Sequence, residues 1–420
     1  MAKRSTDLSD DDASVGRLGI ATLTRAAFRG ADLGPVEDVF RAAIRSDPAS
    51  AYALMDLSVI EQLKGNPATG LALQATALQH TQVFRTASSA PTTINLLALA
   101  APIHMGGNTP VEFLVEGSSV NLQTLYIAPG LPLPDPLPEH DLAFVAAPGD
   151  SDDSRRFLTE IARRVQCWPR PVLNAPGNII KLERDCSERV LSQVPGLRLP
   201  ITMRCPREGL AMIGRGDLEV RDILPHGTFP IIVRPVGAHA GRNLEKLTAA
   251  TEIDAYLASC DDAEFFLSDF IDYSSEDGAY RKYRIVFVDG RPYPCHMAIS
   301  DQWKVWYMNA DMAGSTDKRA EEEDFMTRFG AGFGGRHGRA LSGMARAYGL
   351  EYFGIDCAED RAGNLVLFEA DNALIVHDMD SDQVFPYKAP AMRKIFAAYV
   401  AMIARRAQGV AVKPAKQRTG

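Results

Sequence analysis

The chain has 420 residues, of which 46% are hydrophobic and 23% are charged, and its formal net charge at pH 7 is −8. This length allows two or three domains with sizeable cores, and the composition is that of an ordinary globular protein. The acidic balance argues against a dedicated nucleic-acid-binding protein, which usually carries a basic face. No run approaches the roughly 18 consecutive apolar residues that a membrane span requires.

The first residues of the sequence and its cysteines indicate the cellular compartment. Residues 1–12 are polar and lack the apolar stretch of a signal peptide. The six cysteines stand singly, without a CxxC pair, which is typical of reduced thiols rather than of a disulfide framework. We therefore expect a cytoplasmic protein. We also expect a disordered tail over residues 1–15 and a basic tail over residues 409–420.

Residues 16–90 show the apolar spacing of helices. Helices are predicted over residues 36–44 and 51–64, and the Gly-Asn-Pro sequence that follows predicts a third helix over residues 68–84. Short helix pairs of this kind resemble tetratricopeptide repeats, which would provide a surface for a protein partner. An independent solenoid normally needs at least about three repeats, however. The alternative is a small helical bundle that packs on the next domain.

The remainder of the chain divides into two regions that differ in their predicted secondary structure. Short apolar strands alternate with helical patterns over residues 91–175, which predicts a parallel sheet covered by helices. Residues 176–408 predict an α+β domain with a hairpin at an Asp-Gly turn. The main elements expected there are a strand over 229–234, a helix over 244–259, a strand over 265–273 and a final helix over 392–407.

Three carboxylates cluster in a second predicted hairpin near the C-terminal end. A turn between Ala362 and Gly363 places Asp356 opposite Glu369, and strand alternation puts Asp371 on the same face as Glu369. Two carboxylates about 4 Å apart repel by roughly 4 kcal/mol at an effective dielectric near 20. A favourable cross-strand pair contributes only about 0.2–1 kcal/mol, so this register requires a cation between them.

A divalent ion such as Mg2+ meets this requirement, because it takes carboxylate ligands together with phosphate oxygens. The alternative is a solvent-facing acidic hairpin with a slipped register.

A second candidate segment joins a buried strand to a glycine-containing loop. The strand over residues 229–234 ends in Arg234, and Gly237 and Gly241 follow it. Glycines let backbone N–H groups approach phosphate oxygens, and an adjacent cation offsets the phosphate charge. The segment is neither a GxxxxGK[ST] loop nor a GxGxxG fingerprint, and the same arrangement also occurs for structural reasons.

Three cations occur within four residues at Arg281, Lys282 and Arg284. They form either a solvated strand edge or a recognition patch for carboxylate or phosphate. The hairpin turn that follows predicts that Arg284 pairs with Cys295 and that His296 faces the other side, unless a bulge intervenes. Residues 303–309 are rich in aromatic side chains and form either a core strand or part of an acceptor pocket.

Taken in order, these elements resemble the ATP-grasp superfamily, most closely its glutathione-synthetase and glutamate-ligase branch, over roughly residues 92–405. The resemblance implies a parallel-sheet pre-ATP-grasp α/β domain over residues 91–175. It also implies an ATP-grasp domain over residues 176–408, in which two α+β subdomains enclose ATP. The small all-α region precedes both.

The resemblance also implies roles for individual residues. Arg234, Gly237 and Gly241 would hold the ATP phosphates, and the backbone of Asp269, Phe270 and Ile271 would meet adenine. Arg284, with Arg281, would stabilise an acyl phosphate and the tetrahedral oxyanion. The metal ligands would be Asp356, Glu369 and either Asp371 or Asn372.

Three positions depart from the family pattern. Arg234 stands where the family usually has lysine, and the two side chains are not interchangeable. Asp371 stands at the position usually held by asparagine, with Asn372 next to it, so either could be the ligand. An earlier family lysine is missing, and Arg184 could replace it in binding phosphate.

The function that the resemblance implies is an ATP- and Mg2+-dependent carboxylate–amine (or thiol) ligase. It would act on a small molecule or peptide and release ADP and phosphate. Two alternatives are a small-molecule kinase and a nucleotide sensor whose helical arm recruits a protein. Neither nucleic acid nor a membrane is an expected partner, and the oligomeric state stays open, a homodimer included.

Overall fold

The computed structural model describes residues 17–88, 91–238 and 241–411. The predicted tail over residues 1–15 and most of the predicted basic tail over residues 409–420 lie outside this range. No helix among the described residues combines the length and the apolar character that crossing a bilayer would require.

The chain begins with a group of helices that pack on one another. Gly70 allows two of these helices to cross closely, because a Cβ atom there would lie 2.7 Å from the Ser58 carbonyl oxygen. The predicted helix over residues 68–84 ends earlier, at His80, because the chain then pairs with a sheet and buries Phe84. The helices are α1 (Gly19–Phe28), α2 (Gly34–Ser46), α3 (Ala51–Leu63) and α4 (Pro67–His80).

The α/β domain contains a sheet in the order β1–β3–β2–β4–β5. β2, β3, β4 and β5 pair in parallel, as predicted, and β1 pairs antiparallel with β3 at one edge. Its elements are β1 (Val83–Arg85), β2 (Ile94–Ala100), α5 (Val111–Val115), β3 (Val120–Tyr126), β4 (Leu142–Val145), α6 (Asp152–Val165) and β5 (Val172–Leu173).

A buried ion pair fastens the helical group to this domain. The Arg17 side chain is 1% exposed, and its Nε lies 2.9 Å from Asp56 Oδ1 on α3. Its Nη1 lies 3.5 Å from Glu112 Oε1 on α5. The two carboxylates compensate the buried guanidinium, and the contact therefore fixes how the helices sit on the α/β domain.

The first α+β unit is an antiparallel sheet in the order β7–β10–β8–β9. The predicted helix over residues 244–259 is wrong in its first part, because Glu245–Leu247 form a strand against β8 and the helix begins at Ile253. The elements are α7 (Pro176–Ile179), α8 (Ser187–Leu191), β6 (Leu197–Arg198), β7 (Thr202–Pro206), α9 (Arg207–Arg215), α10 (Val220–Ile223), β8 (Ile231–Pro235), β9 (Glu245–Leu247), α11 (Ile253–Ala258) and β10 (Glu264–Asp269).

The second α+β unit is a sheet in the order β12–β11–β13–β14–β6. Both predicted hairpins belong to it, β11–β12 at the Asp-Gly turn and β13–β14 with the acidic residues. Its further elements are β11 (Tyr280–Val288), β12 (Arg291–Ser300), α12 (Thr316–Thr327), α13 (Phe333–Arg336), α14 (Gly338–Tyr348), β13 (Tyr352–Glu359), β14 (Leu365–Asp371) and α15 (Lys388–Ala411).

Candidate active site

A cavity of about 590 Å³ is lined by residues of both α+β sheets and of the α/β domain. The α/β domain contributes His104, Gly106 and Gly107 from the loop after β2 and Asp150 from the loop after β4. β2 and β4 are neighbouring parallel strands, and crevices at the carboxyl ends of such strands are the usual ligand sites of α/β sheets. The cavity is therefore the candidate active site.

The acidic hairpin has the predicted pairing at its functional end. Asp356 lies opposite Glu369, and Asp371 lies opposite Gly354, so this part of the register is confirmed. A bulge follows, because Cys357 pairs with Leu367 rather than with Phe368.

The pairs nearest the turn are centred on Ala362, half a residue before the predicted centre. Phe368 is the extra residue of the bulge, and beyond it the pairing returns to the predicted register. Phe368 lines the cavity together with Glu369 and packs 4.8 Å, ring centre to ring centre, from Tyr273.

Asp356 is held by two cations on the neighbouring strand. Arg284 binds both carboxylate oxygens, with Nε 2.8 Å from Oδ1 and Nη2 3.1 Å from Oδ2. Lys282 Nζ lies 2.9 Å from Oδ2. Burial would raise the pKa of the Asp356 carboxyl, but Arg284 and Lys282 outweigh it and hold that pKa well below its ordinary value. These two cations therefore favour the ionised form of Asp356.

Glu369 is paired with Arg184, which lies between α7 and α8. Arg184 Nη2 contacts Glu369 Oε1, and Arg184 Nη1 donates to the Phe368 carbonyl oxygen at 2.8 Å. Burial would raise the pKa of Glu369, but Arg184 and then Arg234 lower it below its ordinary value. Arg184, which the sequence analysis proposed as a substitute phosphate-binding cation, therefore lies next to Glu369 in the lining of the cavity.

The two candidate ligands after Glu369 point in different directions. Asp371 lines the cavity, and its Oδ1 accepts a hydrogen bond from the Ala373 N–H at 2.8 Å. Asn372 is 1% exposed, and its Nδ2 donates to Thr109 Oγ1 at 3.2 Å and to the Ala147 carbonyl oxygen at 3.1 Å. Asn372 therefore ties β14 to the α/β domain, and the prediction that it could serve as the metal ligand does not fit this geometry.

The candidate donor set for a divalent cation comprises Asp356, Glu369 and Asp371. Its members are carboxylate oxygens, which are the ligands that Mg2+ prefers. Within the described residues, however, no three His, Cys, Asp or Glu side chains converge as a metal-ligand cluster. Arg284, Lys282 and Arg184 supply the positive charge that the opposed carboxylates need. The oxygen chemistry fits Mg2+, and binding the ion would require these cations to release Asp356 and Glu369.

Arg234, at the end of β8, is a buried cation with incomplete hydrogen bonding. Its Nη2 donates to the Ala238 carbonyl oxygen, whereas its buried Nε has no hydrogen-bond partner among the described residues. Burial, and secondarily the charge of Arg184, lowers the pKa of Arg234 to about 10. Two neighbouring cations in a buried site favour an anion between them. Both line the cavity, so an anionic ligand is expected there.

The two predicted loop glycines have backbone angles that suit glycine. Gly237 has φ +71°, and a Cβ atom there would lie 3.2 Å from the Ser151 Cβ. Gly241 has φ +72° and lines the large cavity. Residues 239 and 240, between them, lie outside the described part of the chain.

The predicted adenine segment lies at another part of the same cavity. Asp269, Phe270 and Ile271 line it at the end of β10. The Phe270 ring has Lys246 Nζ 4.3 Å from its centre and the Trp303 ring 5.9 Å away, edge to face. Residues 303–306 also line the cavity, in a loop rather than a core strand, so the core-strand interpretation is wrong.

The cation cluster on β11 is split between the two faces of the sheet. Arg281 points away from the cavity, and its Nη2 lies 2.8 Å from Asp277 Oδ2 and 3.0 Å from Glu321 Oε2. The predicted catalytic role of Arg281 is therefore wrong, because alternate residues of a strand face opposite sides. Lys282 shares the face of Arg284 and lines the cavity. The same alternation, applied to the sequence, would have found it.

The β11–β12 hairpin also contains a bulge that the sequence prediction placed only as an alternative. The register shifts between Arg284 and Ile285, so Arg284 pairs with His296 rather than with Cys295. Burial, and then the charge of Arg284, holds the pKa of His296 well below its ordinary value, so this ring is neutral. The His296 ring lies 5.0 Å from the Tyr307 ring. It adds no positive charge beside Arg284.

A parallel α/β domain is followed by an antiparallel and a mixed sheet, and residues from all three line one charged cleft. The strand orders and pairings observed in all three sheets confirm the fold predicted from the sequence.

No protein-family model and no curated protein matches this chain significantly. Solved structures similar to it include the D-alanine–D-alanine ligase from Bacillus anthracis complexed with ATP, at 12% identity and a TM-score of 0.46, over 76% of this chain and 98% of that one. A RimK domain ATP-grasp protein from Sphaerobacter thermophilus has 15% identity and a TM-score of 0.41, over 75% and 100%. The ATP-grasp ligase PsnB, complexed with a precursor peptide and AMPPNP, has 12% identity and a TM-score of 0.40, over 76% and 100%.

Proposed function

We propose that this protein is an ATP- and Mg2+-dependent ligase that joins a carboxylate to an amine, or to a thiol, through an acyl phosphate. ADP and phosphate would be released, and the substrate would be a small molecule or a peptide. The observation that carries the proposal is the juxtaposition in one cavity of two buried arginines, Arg184 and Arg234, with the carboxylates of Asp356, Glu369 and Asp371.

Different residues of the cavity would bind the phosphates, the metal ion and the base of ATP. Arg234 and Arg184 would bind phosphate oxygens, since Arg234 Nε is unpartnered among the described residues. Asp356, Glu369 and Asp371 are the oxygen donors that would hold Mg2+, and the ion, when bound, offsets charge on the ATP phosphates. The end of β10, at Asp269, would meet the base. Catalysis of this kind depends mostly on positioning and on charge stabilisation.

The two chemical steps place different demands on the cleft. In the first, a carboxylate oxygen attacks the γ-phosphorus of ATP, the bond to the β-phosphate oxygen breaks, and ADP leaves. In the second, the amine attacks the acyl carbon, phosphate leaves, and the nitrogen loses a proton. Arg284 would stabilise the acyl phosphate and the oxyanion, because a guanidinium fork binds two oxygens at once. The backbone at Gly237 and Gly241 would help Arg234 to hold the phosphates.

A nucleotide sensor without turnover is the second candidate function. The observation that favours it is that Asp356 and Glu369 are held by Arg284, Lys282 and Arg184 in this structure. A carboxylate that keeps such partners is a weaker metal ligand, and catalysis by this cleft depends on releasing them. On this reading the N-terminal helices would recruit the partner that reads the nucleotide state.

Measuring ADP release distinguishes these functions. The purified chain is incubated with ATP and Mg2+, alone and with pools of carboxylates, of amines and of hydroxyl compounds, singly and combined. A ligase releases ADP only when both substrates are present, a kinase needs a single hydroxyl acceptor, and a sensor releases essentially none. Glu369→Ala is the matched variant, and we expect it to abolish turnover with an unchanged circular dichroism spectrum. Full activity in that variant would contradict the role of Glu369.

A further inference from the structure

Two cations share a single carboxylate at the end of the cavity formed by β11 and β13. Asp356 Oδ2 accepts from Lys282 Nζ at 2.9 Å and from Arg284 Nη2 at 3.1 Å. The Asp356 side chain is 4% exposed, whereas the two cationic side chains are 20% and 19% exposed and both line the cavity. One negative charge therefore faces two positive charges at this point, and one positive charge is left uncompensated.

The other charged groups nearby do not restore the balance. Glu369 lies opposite Asp356 but forms its ion pair with Arg184. His296, opposite Arg284, supplies no negative charge. Among the ion pairs of the described residues, Lys282 contacts Asp356 alone. The excess positive charge faces the cavity, where an anionic group of a ligand can reach it.

The cations also compete with a metal ion for the same oxygens. If Asp356 ligates the metal, as the proposed function requires, the ion occupies the positions that Lys282 Nζ and Arg284 hold now. The ion repels both cations, because all three carry positive charge. Lys282 has a flexible four-carbon stem and can turn into the cavity while keeping its charge.

We propose that Lys282 binds the carboxylate of the ligase substrate and that it becomes available for this when Asp356 turns to the metal–nucleotide complex. This inference rests on the proposed function and specifies it further. The metal–nucleotide complex binds first and releases Lys282, and the carboxylate then binds to Lys282 beside Arg284. Before that event Lys282 and Arg284 keep Asp356 occupied, so the carboxylate site is not yet formed.

The test compares Lys282→Met with the wild-type chain by titration calorimetry of AMPPNP, with Mg2+ and with EDTA. Lys64→Met is the matched control, since Lys64 also forms an ion pair of 2.9 Å, with Glu37, but belongs to the helical group and does not line the cavity. We expect Lys282→Met to bind Mg–AMPPNP about three- to fivefold more tightly, the change that corresponds to losing one competing ion pair of moderate strength. We expect affinity in EDTA, and both affinities of the control, to stay unchanged.

A second arm uses acetate as the carboxylate probe, at constant ionic strength. Binding linkage is reciprocal, so a carboxylate that binds after the metal–nucleotide complex must tighten the binding of that complex. We expect acetate to tighten Mg–AMPPNP binding to the wild-type chain and to Lys64→Met but not to Lys282→Met. Lys282→Gln replaces the Met variant if the latter does not fold, with the same expectations.

The outcomes separate the two proposals. A wild-type chain that binds no AMPPNP overturns the proposed function and this inference with it. A chain that binds Mg–AMPPNP, with Lys282→Met indistinguishable from wild type in both arms, overturns this inference alone. Weaker Mg–AMPPNP binding by Lys282→Met overturns it as well, because Lys282 would then assist the nucleotide rather than compete with its metal.

Discussion

Arg284 and Asp356 lie directly opposite each other on β11 and β13 and form a bidentate ion pair of 2.8 and 3.1 Å. The pair occupies the cleft face of the sheet, where Lys282 adds a third charge. Cross-strand neighbours are the basic unit of sheet stabilisation, and a nearly buried charge depends strongly on its partner. This pair therefore contributes to the stability of the fold as well as to the chemistry of the cleft.

We predict that Asp356→Asn destabilises the protein by about 3 kcal/mol, the lower end of the cost of breaking a buried pair. The amide leaves Lys282 and Arg284 uncompensated beside each other. Urea denaturation of this variant, of Arg284→Met and of the double variant completes a thermodynamic cycle. We expect a coupling energy of about 1–3 kcal/mol. Additive losses would show that the two side chains do not stabilise each other.

We predict that the two arginines of β11 differ in their effect on turnover. Arg284→Ala should lower the rate of ADP release by about 100- to 1,000-fold, as the loss of a donor to a developing oxyanion does. Arg281→Ala should stay within about twofold, because its ion pairs with Asp277 and Glu321 lie on the other face of the sheet. Comparable losses in both variants would place Arg281 in the chemistry after all.

We predict that the neighbours Asp371 and Asn372 act on different properties. Asn372→Ala should cost about 1–3 kcal/mol of stability, because Thr109 and the carbonyl groups of Ala146 and Ala147 lose a buried donor. Its affinity for Mg–AMPPNP should persist. Asp371→Ala should show the reverse, with Mg-dependent affinity lost and stability kept. Denaturation and calorimetry on both variants check the pair, and a loss of Mg-dependent affinity in Asn372→Ala would return that residue to the ligand set.

We predict an acid-sensitive contribution from Glu359, at the end of β13. Hydrogen bonds from His337 at 3.1 Å and from Arg336 at 2.8 Å lower the pKa of Glu359 to about 2. A carboxyl whose folded pKa is depressed stabilises the fold above its unfolded pKa of about 4.3 and loses this contribution as the pH falls towards 2.

The measurement is the difference in urea midpoint between wild type and Glu359→Gln at neutral pH and near pH 3. Because Glu359 is partly exposed, we expect a difference of only about 1 kcal/mol at neutral pH. It should shrink as the pH falls. Glu323→Gln, at an exposed position of α12, is the control and should show no such trend. A pH-independent difference would mean that the ion pairs of Glu359 are not its source.

The parts of the site that follow from strand alternation were accessible from the sequence. The pairing of Asp356 with Glu369 was predicted, because an apolar face and a turn signal together define a register. The position of Lys282 follows from the same rule applied to Arg284. The ends of helices were harder to predict from the sequence. The helix that begins at Ile253 was predicted to start earlier, because residues that favour a helix by propensity instead pair as a strand with β8.

The bulges and the ion pairs across the cleft could not be read from the sequence. The bulge opposite Arg284 and Ile285 lies in β12, the edge strand of the sheet, and the local sequence permits a bulge there without requiring one. The contact between Arg184 and Glu369 joins residues 185 positions apart. The sequence argument correctly required a cation beside the opposed carboxylates, but it had no means to tell arginine and lysine from a metal ion.

The bulge at Phe368 restricts how the acidic hairpin can vary in length. Asp360 Oδ1 accepts from the Ala362 and Asn364 N–H groups and so orders the turn, in which Ala362 is exposed. Substitutions there should be tolerated. Deleting or inserting one residue would rotate Glu369 and Asp371 onto the apolar side of the sheet, unless the bulge were removed at the same time. Homologous chains should therefore keep the number of residues in this hairpin even where the amino acids differ. Where an alignment shows a one-residue gap in the hairpin, a change at position 368 should accompany it.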